Sequence, residues 1–235
     1  VDAGALRVIV VGAGPVCIRL VESLYGNFPN AHVLVCSNEP YRPYHRVWLS
    51  DFLSGDISRE ELDIPLPDTD GRDFNFLVST IDDINRTEKF VTTTEGHQYF
   101  YDKLVIATGA KAYTPTITGH HLTGVYTFRN LKDTEALYAR VMRARHIVIV
   151  GGGLLGCESA KALLKNNTKI TLIQQASHLM NRQLDEEAGG MLQQKLEEMG
   201  IRVIVNDGVR HVEGDSRVVG IETRSKEYIE CDTVL

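Results

Sequence analysis

Residues 7–17, Arg-Val-Ile-Val-Val-Gly-Ala-Gly-Pro-Val-Cys, and residues 146–156, His-Ile-Val-Ile-Val-Gly-Gly-Gly-Leu-Leu-Gly, decide how this chain folds. Each begins with a short apolar run rich in β-branched residues, the composition of a buried strand. A glycine-rich turn follows, then apolar residues at helical spacing (Ile18, Leu20, Val21 and Leu24 in the first copy), then a second β-like run at 32–36 or 169–173. Strand, turn, helix and strand make a βαβ unit, because two parallel strands can be joined only by a crossover. Two copies predict an α/β chain with two Rossmann-like dinucleotide-binding domains.

The glycines carry separate tasks. The first allows a tight turn, the second lets a pyrophosphate approach the backbone, and the third lets helix and strand pack closely. The helix N-terminus then offers unpaired N–H groups and the positive end of its dipole. Gly12, Gly14 and Cys17 occupy these positions in the first copy, and Gly151, Gly153 and Gly156 in the second. Cys17 departs from the pattern and is read as a packing variant. One such fingerprint is weak evidence; two, each between a strand and a helix, point to two dinucleotide sites.

The residue ending the second strand should meet the ribose. After the first copy this is Asn38-Glu39, with Glu39 the only acid; after the second it is Gln174-Gln175. Glutamine can bond a ribose hydroxyl but does not repel a 2′-phosphate. No Arg or Lys lies in that turn, and His178 is the nearest candidate for such a phosphate. The balance favours NADH slightly and leaves NADPH open.

Composition excludes several classes. The chain has 43% hydrophobic and 24% charged residues and a net charge of −6, which suits a globular protein and gives no reason to expect nucleic acid. No apolar run reaches the roughly 18 residues of a membrane span. Residues 1–6 lack the charged and apolar regions of a signal peptide. Cys17, Cys36, Cys157 and Cys231 form no CxxC or CxxxxC pair. They read as inert buried thiols in a reducing cytoplasm, not as a redox disulfide or zinc site.

Between the copies, residues 74–105 alternate in short runs (Phe76–Val78, Phe90–Thr93, Tyr99–Asp102) and predict a strand excursion, ending in Leu104-Val105-Ile106-Ala107-Thr108-Gly109-Ala110. Pro115, Gly119 and Gly124 mark a linker, and a helix begins near Leu131. The expected domains are 1–112 and 113–235. The last quarter predicts a helix through 192–199 and strands near 201–205, 218–223 and 228–235. Asp185-Glu186-Glu187 reads as a helix N-terminal turn. Cys231–Leu235 reads as the start of a buried strand without a sequel, so a C-terminal truncation is expected. His120-His121 reads as a solvated loop.

The two glycine turns, Ala107-Thr108-Gly109, and the pattern Glu39-Pro40 … Tyr44-His45-Arg46 … Leu49-Ser50 together resemble the FAD-dependent pyridine nucleotide oxidoreductases, over essentially the whole length. Tyr101–Leu104, Gly151–Gly156 with Leu154-Leu155, and Leu179–Asp185 are similar to the N-terminal reductase module of NAD(P)H nitrite reductase large subunits. The same phrases recur in rubredoxin and ferredoxin reductases and NADH oxidases. The resemblance implies a glutathione-reductase-like fold that passes hydride from NAD(P)H to FAD and electrons onward. The acceptor would be an iron–sulfur/siroheme domain or a rubredoxin-like carrier, with a homodimer possible in this class. It implies Gly12, Gly14 and Pro15 at the FAD pyrophosphate, Glu39 at the adenosine ribose, Asn38 (where many relatives have an acid) and Arg46 among the cofactor-binding residues, and Thr108, Gly109, Ala110 and Arg129 beside FAD. Gly151, Gly153, Leu154, Leu155, Gly156 and Gln174 would line the nicotinamide nucleotide, with Glu158 near its ring. Asp51 stands where ferredoxin reductases often have a flavin-contacting lysine, and the missing cysteine near Arg42–Asp51 counts against an oxidase. A redox-sensing flavoprotein with little turnover, as in apoptosis-inducing factor, is the alternative of another class.

Overall fold

The computed structural model describes residues 5–66, 71–164 and 168–235. The chain divides into two compact units, one made of Val1–Arg46 with Ser58–Ala110 and the other of Val47–Ile57 with Lys111–Leu235.

In the first unit β1 (Arg7–Val11), α1 (Pro15–Asn27) and β2 (His32–Ser37) form the expected βαβ. The chain passes through α2 (Leu49–Ser54), which belongs to the second unit, and returns in α3 (Arg59–Leu62) and β3 (Phe74–Val78). Three antiparallel strands follow, β4 (Ile81–Asn85), β5 (Phe90–Thr93) and β6 (Gln98–Phe100), and then β7 (Lys103–Ile106). The main sheet runs β3-β2-β1-β7, all parallel. Alternate side chains of the central strand face opposite ways. Val8 and Val10 pack on Cys17, Val21 and Tyr25 of α1. Ile9 packs with Cys36, Val91 and Tyr101 on the other face. Burial on both faces is why β1 reads as an unbroken apolar run.

The second unit repeats this order. It holds α4 (Leu131–Val141), β8 (His146–Val150), α5 (Leu154–Leu164), β9 (Lys169–Ile173), α6 (Glu186–Glu198) and β10 (Arg202–Ile204). An antiparallel trio follows, β11 (Val209–Glu213), β12 (Gly220–Thr223) and β13 (Tyr228–Glu230), and then β14 (Thr233–Val234) beside β8. Its parallel sheet runs β10-β9-β8-β14. Asp185 caps α6 as the acidic turn predicts, accepting from the Ala188 N–H at 2.9 Å.

The duplication therefore extends well past the βαβ units, and an aspartate marks it in both halves. The Asp102 N–H donates to Arg7 O (2.9 Å), and Asp102 Oδ2 accepts from the Arg7 N–H (2.8 Å). Asp232 does the same before β14: its N–H donates to His146 O (3.2 Å), and its Oδ2 accepts from the Arg145 N–H (2.9 Å). Each aspartate fastens the returning strand to the start of the first one. That fastening splits the stretch read as one strand at 228–235 into β13 and β14.

Other elements depart from expectation for tertiary reasons. β3, read as part of the excursion, joins the parallel sheet as its edge; its mix of half-buried and exposed residues does not distinguish the two roles. β4, with two acids in Ile-Asp-Asp-Ile-Asn, and β11 were not anticipated and exist through pairing with β5 and β12. Residues 47–57, assigned by sequence position to the first domain, group with the second unit. There α2 packs on α4 and α5 with Leu49 and Leu53 buried, an i,i+4 pair on one helix face.

The hydrogen bonds and charge of Arg7 hold the Asp102 carboxyl down at about 2. A depressed carboxyl adds stability that is present above its unfolded pKa, roughly 3.9, and lost as pH falls through the folded value. Asp102→Ala should therefore lower the urea midpoint at pH 7 modestly, since the pair is partly exposed, and its deficit against the parent should narrow between pH 4 and pH 2. A deficit independent of pH would show that the charge contributes nothing.

Candidate dinucleotide-binding sites

The first turn is built on two glycines required for different reasons. Gly12 has φ +108°, and a Cβ there would lie 2.3 Å from the Ala107 carbonyl oxygen. Its N–H donates to Cys36 O at 2.7 Å, which ties the turn to β2. A side chain is excluded twice, by conformation and by backbone contact. Gly14 is the N-cap of α1 at φ −83°, and a Cβ there would meet nothing within 4 Å. The fold itself leaves room for a side chain at this point. Pro15 sits at the first helical position, where its missing N–H costs nothing. The helix has no side-chain cap and no acid in its first turn, so its positive end is left for an anion.

Around this turn stand apolar side chains that the sequence reading passed over. Val16 is 69% exposed and Ile106 is 64% exposed. These are large aliphatic side chains left exposed beside the glycine turn. Thr108, Gly109 (φ +68°) and Ala110 follow β7 and are exposed. Asn38 is exposed and Glu39 half-buried. The Glu39 carboxylate accepts from the Tyr44 hydroxyl and from Arg46 Nη2, both at 2.6 Å, and the Arg46 guanidinium lies 5.1 Å from the Tyr44 ring. The structure thus brings Glu39 and Arg46 together, with Tyr44 as their third member. A carboxylate has further lone pairs, so the ribose contact stays open to Glu39.

Cys17, in place of the third glycine, is 1% exposed within the core beneath α1. Burial pushes the thiols of Cys17, Cys36 and Cys157 up to about 11 and that of Cys231 up to about 12. All four cysteines are buried and free, so none presents a thiolate at neutral pH.

In the second turn all three fingerprint glycines are present. Gly151 has φ +113°, and its N–H donates to Ile173 O at 2.8 Å. Gly153 is open, with nothing within 4 Å of a Cβ. A Cβ on Gly156 would lie 1.9 Å from the Gly151 carbonyl oxygen, the tightest helix-to-turn approach of either unit. Gly152, which the fingerprint does not mark, is crowded by side chains, with Leu179 Cδ2 2.4 Å and Gln174 Cβ 2.9 Å from where a Cβ would be. Leu154 and Leu155, at the start of α5, are 56% and 45% exposed. Glu158, one turn on, is half-buried, and its carboxylate has no hydrogen bond or ion pair among the described residues. Arg129 lies just before α4, its N–H donating to Asp133 Oδ2 at 3.0 Å.

The strand-end residue Gln174 is placed differently from its expected ribose contact. It is 9% exposed, and its Oε1 accepts from the Gly152 N–H at 3.0 Å. Its Nε2 donates to Asn181 Oδ1 at 2.9 Å. His178, the expected phosphate neighbour, is also engaged: Nδ1 pairs with the Ser177 hydroxyl and Nε2 with Leu184 O, both at 3.0 Å. Sequence spacing locates both residues correctly but says nothing of where their polar atoms turn. A groove of 430 Å³ in the first unit, bordered by Arg7, His32, Asp73 and Phe100, lies at the amino ends of the strands. Ligands of parallel α/β sheets gather at the carboxyl ends, where both glycine turns are.

Comparisons with known proteins agree with this arrangement. The family profile described as pyridine nucleotide-disulphide oxidoreductase matches residues 6–235. A nitrite reductase [NAD(P)H] of Bacillus subtilis strain 168 is 32% identical over 237 residues, covering 99% of this chain and 29% of that protein. The ferredoxin reductase component of a chlorobenzene dioxygenase from Cupriavidus sp. strain PS12 is 30% identical, covering 98% of this chain and 57% of that protein. Among solved structures, the ferredoxin reductase for the CYP199A2 system from Rhodopseudomonas palustris superposes with a TM-score of 0.90 at 22% identity, over 97% of this chain and 57% of that one. The chain thus spans less than two thirds of the relatives it matches.

The glycine geometry separates fold from ligand experimentally. Gly156→Ala should destabilise the chain by about 2 kcal/mol or more, while Gly14→Ala and Gly153→Ala should stay within about 0.5 kcal/mol of the parent. Chemical unfolding monitored by circular dichroism checks both; equal losses at all three positions would remove the distinction.

Proposed function

Because the chain belongs to the pyridine nucleotide-disulphide oxidoreductase family, we propose that its first glycine turn holds FAD, its second holds NAD(P)H, and the chain is the reductase module of an assimilatory nitrite reductase. The observation that carries the reading is the pair of open glycines, Gly14 and Gly153, each beside a glycine whose side chain the fold itself forbids. Two cradles shaped for a close-lying pyrophosphate, on two units of the same topology, suit an enzyme that binds two dinucleotides. The 32% identity to a nitrite reductase over 99% of this chain supports the narrower assignment.

When bound, FAD accepts hydride from reduced nicotinamide and releases electrons singly or in pairs. The chain's own residues bind and orient. The N-terminus of α1 takes the FAD pyrophosphate, Glu39 the adenosine ribose, and Val16 and Ile106 give apolar cover. Thr108, Gly109, Ala110 and Arg129 contribute to holding the flavin nucleotide. The N-terminus of α5 takes the nicotinamide nucleotide between Gly151, Gly153 and Gly156, with Leu154 and Leu155 screening it from water. Glu158 holds a carboxylate without a hydrogen bond or ion pair among the described residues, one helical turn from that cradle, where it would orient the nicotinamide end.

The acceptor is an iron–sulfur/siroheme domain or a separate rubredoxin-like carrier, since the four cysteines are buried as protonated thiols. Such thiols suit a reducing cytoplasm, and no helix among the described residues is long and apolar enough to cross a membrane. A homodimer belongs to this reading as a feature of the class. A second reading, the reductase component of a dioxygenase-type chain, is favoured by the 30% identity to the Cupriavidus protein. Asp51, in place of the flavin-contacting lysine, weighs against it.

Reconstitution with FAD should give a yellow protein that NADH bleaches anaerobically and that reduces an artificial acceptor continuously. Glu158→Gln should slow bleaching about tenfold or more while leaving nucleotide binding nearly unchanged. A protein that stays colourless with excess FAD and binds no nicotinamide nucleotide would defeat the proposal.

A further inference from the structure

The residue that would discriminate the nucleotides has been put to another use. In a Rossmann unit, a carboxylate at the end of the second strand accepts from the ribose hydroxyls of NAD and repels the 2′-phosphate of NADP, while an arginine nearby admits that phosphate. Position 174 is glutamine, and both ends of its amide are committed inside the unit. Oε1 holds the Gly152 N–H at 3.0 Å, and Nε2 reaches Asn181 Oδ1 at 2.9 Å and His178 O at 3.4 Å. Gln174 is therefore a clamp between the glycine turn and the loop that follows β9. The surroundings add no strong bias. His178 has both ring nitrogens engaged. Asp207, whose N–H donates to Gln174 O at 3.3 Å, turns its carboxylate to the Gly208 and Ser225 N–H groups and the Ser225 hydroxyl. Exposed Arg182, next to Asn181, is the one Arg or Lys between residues 175 and 184. Its charge tolerates a phosphate.

We infer that Gln174 acts as a neutral positioning residue that shapes the second cradle without reading the 2′ position, so the chain accepts NAD and NADP nucleotides alike. The inference rests on the reading that the second turn holds NAD(P)H. It departs from the slight NADH preference that the sequence alone suggests, because that preference rested on the absence of a cationic phosphate clamp within the turn, and exposed Arg182 lies just beyond it.

Titration calorimetry of the full chain with NAD⁺ and with NADP⁺ tests it without any flavin. The two dissociation constants should lie within about tenfold of each other in the parent. Gln174→Glu keeps an oxygen for the Gly152 N–H, and the Asn181 amide can rotate to donate to the other oxygen. The new charge should weaken NADP⁺ by about tenfold or more and NAD⁺ by less than about threefold. Asn181→Ala, which loosens the clamp from its far side, should weaken both nucleotides alike. A parent that binds one nucleotide more than about a hundredfold better than the other overturns the inference. So does a Gln174→Glu variant that binds NAD⁺ with an unchanged ratio. Binding of neither nucleotide by the folded parent defeats the cradle reading itself, and this result is distinct because it is seen before any substitution.

Discussion

In the first unit the carbonyl oxygen of Ala107 stands 2.3 Å from where a Cβ on Gly12 would be, and in the second the oxygen of Gly151 stands 1.9 Å from where a Cβ on Gly156 would be. Backbone fills the space that a side chain would take. The first contact seats the turn after β1 against the end of β7, and the second seats the start of α5 against the turn before it. Gly12 and Gly151 adopt positive φ, a conformation that side-chain-bearing residues disfavour by about 1–2 kcal/mol. The second glycine of each turn, Gly14 and Gly153, is free of such contacts, and that freedom is what the proposed dinucleotide cradles rest on.

Next to each turn the strand-end side chain is fastened rather than waiting. Glu39 is held by Tyr44 and Arg46, and Gln174 by Gly152 and Asn181. The two cases differ in what remains available. A carboxylate with two donors still has lone pairs for a ribose, whereas an amide with its oxygen and its NH₂ both bonded has less to offer. Under the proposed reading, the first site keeps a ribose contact on the same residue that stiffens it, whereas in the second the two tasks have come apart.

Asp102 and Asp232 show the same economy at the opposite end of the strands, each closing its sheet by holding a returning strand to the start of the first. Partly exposed ion pairs of this sort contribute little alone. The hydrogen bond to a backbone N–H is what gives the position its directional value, since it sets where β7 and β14 enter. Through β7 it also sets where Ala107 meets Gly12.

The sequence by itself determined the class of fold, both glycine turns, the helices that follow them, the cap at Asp185 and the burial of the cysteines. These are local matters: periodicity, β-branching and glycine spacing act over a few residues. It did not show that β3 belongs to the parallel sheet, that β4 and β11 exist, or that residues 47–57 pack against α4 and α5. Those outcomes depend on partners far along the chain, and an alternating or short amphipathic run is compatible with several of them. The same limit governed the candidate site. Spacing placed Glu39, Gln174 and His178 beside the turns, but only the tertiary structure decided which atoms each would bond. A side-chain amide or imidazole is satisfied by whatever donors the fold brings within 3 Å, and the one-dimensional pattern carries no record of them.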